Sequence, residues 1–292
     1  MNKNNLLVIV IIYNGMKWLD KSLGSIMNSS VDADLFIVDN GSTDGSIKFI
    51  QENFPNAKLT ISKENLGFGK ANNLGLQYAL DNNYDFVYLL NQDAWVESDT
   101  FEKLIKFSQQ NPEFGILSPL QTNKEKTRLD HNFSKCCGAN ILSDYLCQQP
   151  IKDIYSVDAV MAAHWFLPIS TIKIVGGFSP TFRHYGEDLD YINRLHYFNL
   201  SVGVTSHTIG VHDREFRNDD IKKKQYIFHM ENIVTLSNPN CKMHILHIMN
   251  SYIQAFFKNR EKLNFKYIIR LIGNAHTISK NRTLSMNKGA FL

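Results

Sequence analysis

Short apolar runs alternate with amphipathic stretches through the first half of the chain. The runs are rich in β-branched and aromatic residues and cover residues 6–12, 34–38, 58–62 and 85–90. This composition is typical of buried strands. Between them, residues 17–27 and 68–80 place apolar side chains three and four positions apart, the spacing of one helix face. The alternation predicts βαβ units around a parallel sheet that is covered on both sides.

The second half is less regular. A helix is predicted to begin at Asp99, which forms a capping-box-like pair with Glu102 ahead of an apolar run. Residues 156–167 predict one buried strand, and Pro168 and Gly176-Gly177 bracket a short helix after it. The remaining predictions are a helix over 186–198, a strand over 200–206 and helices beyond 218.

Polar residues follow each of the four predicted strands. These clusters are Tyr13-Asn14, Asp39-Asn40-Gly41-Ser42-Thr43-Asp44, Asn65-Leu66-Gly67-Phe68-Gly69 and Asn91-Gln92-Asp93. The carboxyl ends of parallel strands share one edge of a sheet, and open α/β sheets bind ligands in the crevice at that edge. We therefore expect the four clusters to converge on one site.

Composition sets limits on the class of protein. With 292 residues and 43% apolar content, the chain can bury a large core. The apolar run at 6–12 is too short to span a membrane and lacks a cleavage site after it, so we expect a cytoplasmic protein. The four cysteines lack C-x-x-C spacing, which predicts reduced thiols rather than a disulfide framework or a zinc site.

The net charge of +3 is unevenly distributed. Residues 242–292 contain nine Lys and Arg and a single acid, Glu261, so the rest of the chain is mildly acidic. A nucleic-acid-binding domain would be expected to carry its basic residues on the folded face that contacts the ligand. We therefore predict no nucleic-acid partner, and the basic C-terminal region requires a separate explanation.

The residues in the turns after the predicted strands restrict the class of ligand that the site could bind. The first turn, Tyr13-Asn14-Gly15, lacks the G-x-G-x-x-G pattern of dinucleotide-binding sites, and the chain contains no phosphate-binding P-loop motif. Asp39 is suited to accept hydrogen bonds from a base or ribose, and Asp93 to bind a hard divalent cation. Together they indicate a nucleoside diphosphate.

Several motifs resemble family 2 glycosyltransferases of the GT-A fold, most closely the bacterial rhamnosyltransferase-like branch. The resemblance covers about residues 6–213 in the same order. Its motifs are Ile11-Ile12-Tyr13-Asn14, Val38-Asp39-Asn40-Gly41-Ser42-Thr43-Asp44, Asn65-Leu66-Gly67-Phe68-Gly69-Lys70-Ala71-Asn72, Asn91-Gln92-Asp93, Gly176-Gly177-Phe178 and Gly186-Glu187-Asp188-Leu189-Asp190.

The resemblance implies an α/β fold with a mostly parallel central sheet flanked by helices. It suggests a catalytic domain over 1–217, divided into a donor half (about 1–95) and an acceptor half (about 96–217), and a basic helical region over 218–292. It also implies inverting transfer from dTDP-rhamnose or a UDP- or GDP-sugar to a hydroxyl of a glycan or polyprenyl-linked glycan. Synthesis of bacterial surface polysaccharide would be the setting.

The resemblance also assigns roles. Asp39 would contact the base, and Asp93 would bind Mg²⁺ or Mn²⁺. His212 would have either a metal or diphosphate role or a capping or core role. The family usually has two acids in an Asp-x-Asp motif, whereas this chain has Asn91-Gln92-Asp93. The donor-binding set is Tyr13, Asn14, Asp39, Asn65, Gly67, Asn72, Asn91, Gln92 and Asp93.

The predicted catalytic base is Asp188, with Glu187 binding the acceptor. Both lie at a predicted helix start, where the helix dipole favours the ionised carboxylate that a base requires. The alternative is that both acids only occupy a helix N-terminus. His164-Trp165 is expected to stack on an acceptor sugar, with burial as the alternative.

The sequence allows alternatives for the basic C-terminal region and for the function. Basic and apolar residues interleave between Phe256 and Arg270, which suits contact with an anionic membrane; a helical hairpin packed on the body or on a second subunit is the alternative. The competing functions are a catalytically idle sugar-nucleotide-binding protein and a sugar-1-phosphate nucleotidyltransferase.

Overall fold

The computed structural model describes residues 5–214, 221–241, 248–250, 253–254 and 265–292. The strands are β1 Leu6–Ile12, β2 Ala33–Asp39, β3 Lys58–Ile61, β4 Phe86–Asn91, β5 Ala94–Val96, β6 Phe114–Thr122, β7 Ile154–Val157, β8 His164–Pro168 and β9 Ser201–His212. The helices are α1 Met16–Met27, α2 Ser46–Asn53, α3 Phe68–Asp81, α4 Thr100–Gln110, α5 His131–Cys136, α6 Ala139–Leu146, α7 Ile169–Val175, α8 Glu187–Tyr197, α9 Ile221–Ser237 and α10 Phe265–Ser285. Of the helices in these ranges, none has the length and apolarity to cross a bilayer.

One sheet organises the molecule. Its strand order is β3-β2-β1-β4-β8-β6-β9-β5, and β7 pairs with β9. The half from β3 to β4 is parallel, as predicted. Beyond β4 the sheet is mixed, because β8 runs antiparallel to both β4 and β6 while β6 and β9 are parallel.

The register of the parallel strands places their carboxyl ends side by side. Ile12 at the end of β1 pairs with Asp39 of β2, and Asp39 pairs with Ile61 of β3. On the other side of β1, Ile11 pairs with Asn91 of β4. The polar clusters that follow these strands therefore leave the sheet at one edge, as the sequence predicted.

The core lies on both faces of this sheet. Alternate residues of β1 belong to two different apolar clusters: Leu7 and Ile9 face one, and Leu6, Val8 and Val10 face the other. Since side chains alternate along a strand, a strand covered on both faces must be apolar throughout. This explains why the predicted strand was a continuous apolar run.

Three sequence predictions about elements were wrong or incomplete. Residues 156–167 do not form one strand: β7 pairs with β9 and β8 with β4, so the two ends of the run lie beside different strands. Asp99 precedes α4, but its carboxylate pairs with Lys103 Nζ at 2.7 Å and does not cap the helix. The strand predicted over 200–206 extends to His212.

The described C-terminal residues pack on the body. Helices α9 and α10 share a small apolar cluster with Phe182, and Gly177 N donates to Ala290 O at 2.8 Å. A β-carbon on Gly176 would lie 1.9 Å from Ala290 O, so only glycine allows this approach. Most of the predicted amphipathic surface, residues 256–264, lies outside the described residues.

Candidate active site

The loops after β1, β2 and β4 are tied together by side-chain amides. Asn14, with φ +49°, accepts from Thr43 N through Oδ1 at 2.8 Å. The Gln92 amide pairs with the backbone of Tyr13, accepting from its N–H at 2.8 Å and donating to its carbonyl at 3.2 Å. Asn14 and Gln92 thus hold the rim of the site, and the Tyr13 ring, 49% exposed, is left accessible to a ligand.

Asp39 lies at the floor of this edge and is fully buried. Its Oδ1 accepts from the N–H groups of Gly41 and Ser42 at 3.0 and 2.9 Å. Its Oδ2 is buried without a hydrogen-bond partner. A buried carboxylate oxygen without a partner is costly, and a ligand donor would satisfy it. A ligand can reach this oxygen only if neighbouring groups move.

The loop after β3 connects the donor edge to the second half of the site. Asn40 Oδ1 accepts from Leu66 N, and Asn65 Oδ1 accepts from Gly67 N at 2.9 Å. A β-carbon on Gly67, whose φ is +82°, would lie 2.5 Å from Arg183 O. One on Gly69 would lie 3.9 Å from Glu187 Cβ. Glycine therefore allows this loop to lie directly against the segment that carries the predicted base.

Asn72 is placed differently from the prediction. It is buried in α3, and its Nδ2 donates to Phe68 O one turn earlier at 3.0 Å. Its side chain therefore stabilises the first turn of the helix, and the structure gives no direct support to a donor contact.

Asp93 and His212 face each other because β5 pairs with β9, with Ala94 opposite His212. His212 Nε2 lies 3.5 Å from Asp93 Oδ1. Burial raises the pKa of Asp93, but His212, a backbone hydrogen bond and Arg214 together outweigh it, so this pKa lies below its ordinary value. Asp93 is thus kept ionised and His212 is aimed at it.

This pair fits a divalent cation. Adjacent ligands of an ion with bonds of about 2.1 Å lie about 3 Å apart, close to the spacing of Asp93 Oδ1 and His212 Nε2. The Asp93 side chain is 22% exposed, so a ligand can reach it. Within the described part of the chain, no three His, Cys, Asp or Glu side chains are grouped as a metal site.

Asp130 lies close to the second ring nitrogen of His212, and Arg214 lies close to Asp130. His212 Nδ1 is buried without a hydrogen bond and lies 3.9 Å from Asp130 Oδ2. The other oxygen of Asp130 caps α5 by accepting from Asn132 N and Phe133 N. Arg214 Nε lies 3.5 Å from Asp130 Oδ2. Asp130 is therefore a fixed, buried carboxylate between a histidine and an arginine.

The acidic pair Glu187 and Asp188 begins α8, after Gly186 with φ +95°. Burial, with the adjacent charge of Asp188, raises the pKa of Glu187 from 4.5 to about 7. Burial also raises the pKa of Asp188, and the Leu189 N–H and Arg214 only partly offset this. From the sequence, we expected the helix dipole to favour the ionised form of both carboxylates. In the structure, burial has the larger effect and raises the pKa of both. A raised pKa makes each carboxylate a stronger proton acceptor.

Arg214 joins the two acidic centres. Its charge acts on both Asp93 and Asp188, lowering the pKa of each. Gly69 lies close to Glu187, so the donor-side loop after β3 is next to the start of α8.

The placement of His164 and Trp165 does not support the prediction that they stack on an acceptor. Both are fully buried. His164 hydrogen-bonds Tyr88 Oη at 2.8 Å and Val211 O at 3.0 Å, and burial lowers its pKa to about 3. Trp165 stacks on Phe178 and donates to Val160 O. The apolar sequence around them indicates the core, the alternative that the sequence left open.

Three residues near the candidate site, Asn40, Asp130 and Arg214, were given no role in the sequence analysis. Asn40 had a usable signal, since it follows Asp39 at a strand end. Arg214 lies only two residues beyond His212, within the same polar group. Asp130 has no local signal of function, because its approach to His212 depends on how β6 and β9 pair.

With this geometry in place, comparison with known proteins identifies the family. The profile of glycosyl transferase family 2 matches residues 7–155, just over half of the chain, so the chain belongs to this family. A Haemophilus influenzae protein described as an uncharacterized glycosyltransferase is 31% identical over 115 residues, which are 38% of this chain and 45% of that protein. The chain thus matches less than half the length of this relative.

Solved structures show the same fold. Staphylococcus aureus TarS (residues 1–349, in complex with UDP-GlcNAc) is similar at TM-score 0.56 and 16% identity, over 88% of this chain and 72% of that one. A Pyrobaculum calidifontis mannosyltransferase in complex with GDP-Man and Mn²⁺ is similar at TM-score 0.55 and 16% identity, over 96% and 73%. The chain therefore has the GT-A fold, as the sequence predicted.

Proposed function

We propose that this chain is an inverting glycosyltransferase that moves a sugar from a nucleoside-diphosphate donor to a hydroxyl of a glycan or polyprenyl-linked glycan. One observation carries the proposal: the start of α3, which follows the donor-side loop, lies directly against the acidic pair, since a β-carbon on Gly69 would lie 3.9 Å from Glu187 Cβ. The proposed donor site and proton acceptor would thus be neighbours, as a displacement at the anomeric carbon requires.

The donor would bind along the parallel edge of the sheet. Asp39 Oδ2, which lacks a partner, would accept a hydrogen bond from the base or ribose. Tyr13 would lie against the nucleotide, and Asn14, Asn65, Gly67, Asn91 and Gln92 would shape the pocket around it. The donors of the two structural neighbours, UDP-GlcNAc and GDP-Man, are of this chemical class.

Asp93 and His212 would hold Mg²⁺ or Mn²⁺, which when bound would offset the negative charge that develops on the departing diphosphate. The single carboxylate suffices in principle, since Mg²⁺ takes one or two protein carboxylates and completes its shell with phosphate and water. The Mn²⁺ in the mannosyltransferase complex supports this assignment.

Asp188 would act as the base. The acceptor oxygen attacks the anomeric carbon from the face opposite the diphosphate, and its proton passes to the Asp188 carboxylate. The new carbon–oxygen bond forms as the bond to the diphosphate oxygen breaks, which inverts the configuration. Glu187 would bind an acceptor hydroxyl, because its Oε2 is buried without a partner.

The setting we propose is the cytoplasm, with peripheral contact to an anionic membrane through residues 250–292. In the described part of α10, Ile269 and Ile272 are 68% and 53% exposed, and Arg270 lies between them and is also exposed. Exposed apolar and basic side chains on one helix suit an anionic lipid surface. The intact protein is then expected to bind anionic vesicles at low salt, and failure to bind them would remove the membrane from the proposal.

A thermal-shift panel of UDP-, GDP- and dTDP-sugars, with and without Mn²⁺, tests the donor assignment. Selective binding raises the melting temperature, by an amount that grows with the ratio of ligand concentration to Kd. We expect one nucleotide class to raise it, and more so with Mn²⁺. The absence of any shift would contradict the proposal, and release of pyrophosphate instead of nucleoside diphosphate would favour a nucleotidyltransferase.

A further inference from the structure

Tyr185 has an unusual backbone for its residue type. Its φ is +64°, and Gly186 after it has φ +95°. Glycine adopts this left-handed region freely, but a bulky aromatic residue does so only at a cost in free energy. Such residues are concentrated at functional sites, where the surrounding structure maintains the strain. The chain therefore holds this ring in place against its local preference.

The Tyr185 ring is 44% exposed, so burial in the core does not explain its placement. It forms a T-shaped pair with Tyr226 of α9, with ring centroids 6.0 Å apart and planes at 74°. Tyr226 Oη donates to His184 O at 3.3 Å, which fixes the second ring to the same loop. Lys223 Nζ lies 5.8 Å from the Tyr185 ring centroid. The result is a supported aromatic surface open to solvent.

This surface lies beside the predicted acceptor chemistry. Tyr185 is two residues before Glu187, and the Glu187 charge acts on Tyr226. Glu187 Oε2 is buried without a hydrogen-bond partner, so an acceptor hydroxyl would reach it, as a ligand would reach Asp39 Oδ2, by displacing neighbouring groups. An aromatic face next to an unpartnered carboxyl oxygen matches a pyranose, which presents an apolar face of C–H groups and a rim of hydroxyls.

We propose that Tyr185, supported by Tyr226, is a platform on which a sugar ring of the acceptor stacks while Glu187 hydrogen-bonds one of its hydroxyls. The inference rests on the proposed function and adds a binding subsite to it. It also places acceptor stacking at an exposed ring, in contrast to the buried His164 and Trp165.

The test uses the full chain, saturated with the nucleoside diphosphate and Mn²⁺ that the thermal-shift panel selects. Methyl glycosides of glucose, galactose, mannose, N-acetylglucosamine and rhamnose are titrated, and binding is followed by saturation-transfer NMR. The variants are Tyr185→Phe, Tyr185→Asn and, as a matched exposed tyrosine on α6, Tyr145→Asn; Tyr145 is 71% exposed. Asparagine tolerates the left-handed backbone, so Tyr185→Asn removes the ring without adding strain.

We expect at least one glycoside to bind the wild type, Tyr185→Phe and Tyr145→Asn with Kd values within about twofold, because the ring face provides the contact. Tyr185→Asn should weaken binding about fivefold or more at unchanged nucleotide affinity. Equal binding by Tyr185→Asn would overturn the platform, as would a wild type that binds nucleotide but no glycoside. A wild type that binds no nucleotide rejects the proposed function itself, and the platform with it.

Discussion

At the scale of residues, two adjacent acids have different surroundings. Glu187 and Asp188 are neighbours at the start of α8, and burial raises the pKa of both. Asp188 already accepts from Leu189 N at 2.9 Å and is near Arg214, whereas Glu187 Oε2 has no partner. These surroundings suit Asp188 to proton transfer in a charged site and Glu187 to binding a hydroxyl.

Replacing the base should separate catalysis from binding. Asp188→Asn keeps the shape of the side chain but cannot accept the proton, so kcat should fall by about 100-fold or more. Nucleotide affinity, measured by titration calorimetry, should stay within about twofold, because the donor residues are untouched. Asp158→Asn, at an exposed acid, serves as the control and should leave both unchanged. Turnover near the wild-type rate in Asp188→Asn would refute the role.

The raised pKa of Glu187 makes a prediction about stability. The folded protein favours the protonated acid, so the wild type loses stability as the pH rises from 4.5 to about 7. Glu187→Gln does not titrate. Its unfolding free energy should equal that of the wild type near pH 4 and exceed it by up to about 3 kcal/mol at pH 8. Chemical denaturation at both pH values measures the difference, and a constant difference would contradict the assignment.

Residue identities at the strand ends could be predicted from sequence, whereas several roles could not. Asp39, Asp93 and Asp188 were found because polar residues at the ends of apolar runs and at a helix start are visible locally. Gln92 makes its hydrogen bonds to the backbone of Tyr13, which is distant in sequence and which only the folded chain brings near it. The sequence could not distinguish a buried His164 from an exposed residue that binds a sugar, because its hydrogen-bond partner, Tyr88 Oη, comes from another strand.

At the scale of elements, α8 is anchored by a buried ion pair. Arg194, fully buried, lies 3.0 Å from Asp190 Oδ2 and donates to the carbonyls of Val175 and Gly177. These contacts join α8 to the end of α7, next to the segment that leads into Tyr185 and Glu187. The position of the acidic pair therefore depends on Arg194.

Replacing Arg194 should lower the free energy of unfolding. Arg194→Met leaves Asp190 buried and unpaired, so the unfolding free energy should fall by about 3–5 kcal/mol. The i,i+4 pair of Lys48 and Glu52 on α2 is 80% and 61% exposed and provides the contrast. Glu52→Gln should cost less than about 0.5 kcal/mol. Equal losses for the two variants, by chemical denaturation, would show that burial of the Asp190–Arg194 pair contributes nothing.

The elements themselves were predictable to different degrees. The central strands β1 and β4 are apolar on both faces, and the apolar runs gave the positions of β1 to β4 to within about one residue. Residues 156–167 were misassigned because one apolar run serves two strands with different partners, β9 and β4, and the sequence pattern contains no information about partners.

At the scale of the whole molecule, the proposed site draws on three distant parts of the chain. The register of the parallel strands sets Asp39, the β5–β9 pairing sets Asp93 against His212, and α8 carries Asp188. The described C-terminal residues close against the same body, since Asn73 Nδ2 donates to Phe178 O and to Phe291 O. The sheet and its crossovers thus carry the residues of the proposed donor and acceptor sites.

Calorimetric titration of the selected nucleoside diphosphate with Mn²⁺ into the wild type, Asp39→Asn, Asp93→Asn and Asp188→Asn tests this convergence most directly. Losing Asp39 or Asp93 should weaken binding about tenfold or more, because a charged hydrogen bond or a metal ligand is lost. Asp188→Asn should bind as the wild type does and yet fail to turn over. Wild-type affinity in both Asp39→Asn and Asp93→Asn would contradict the account.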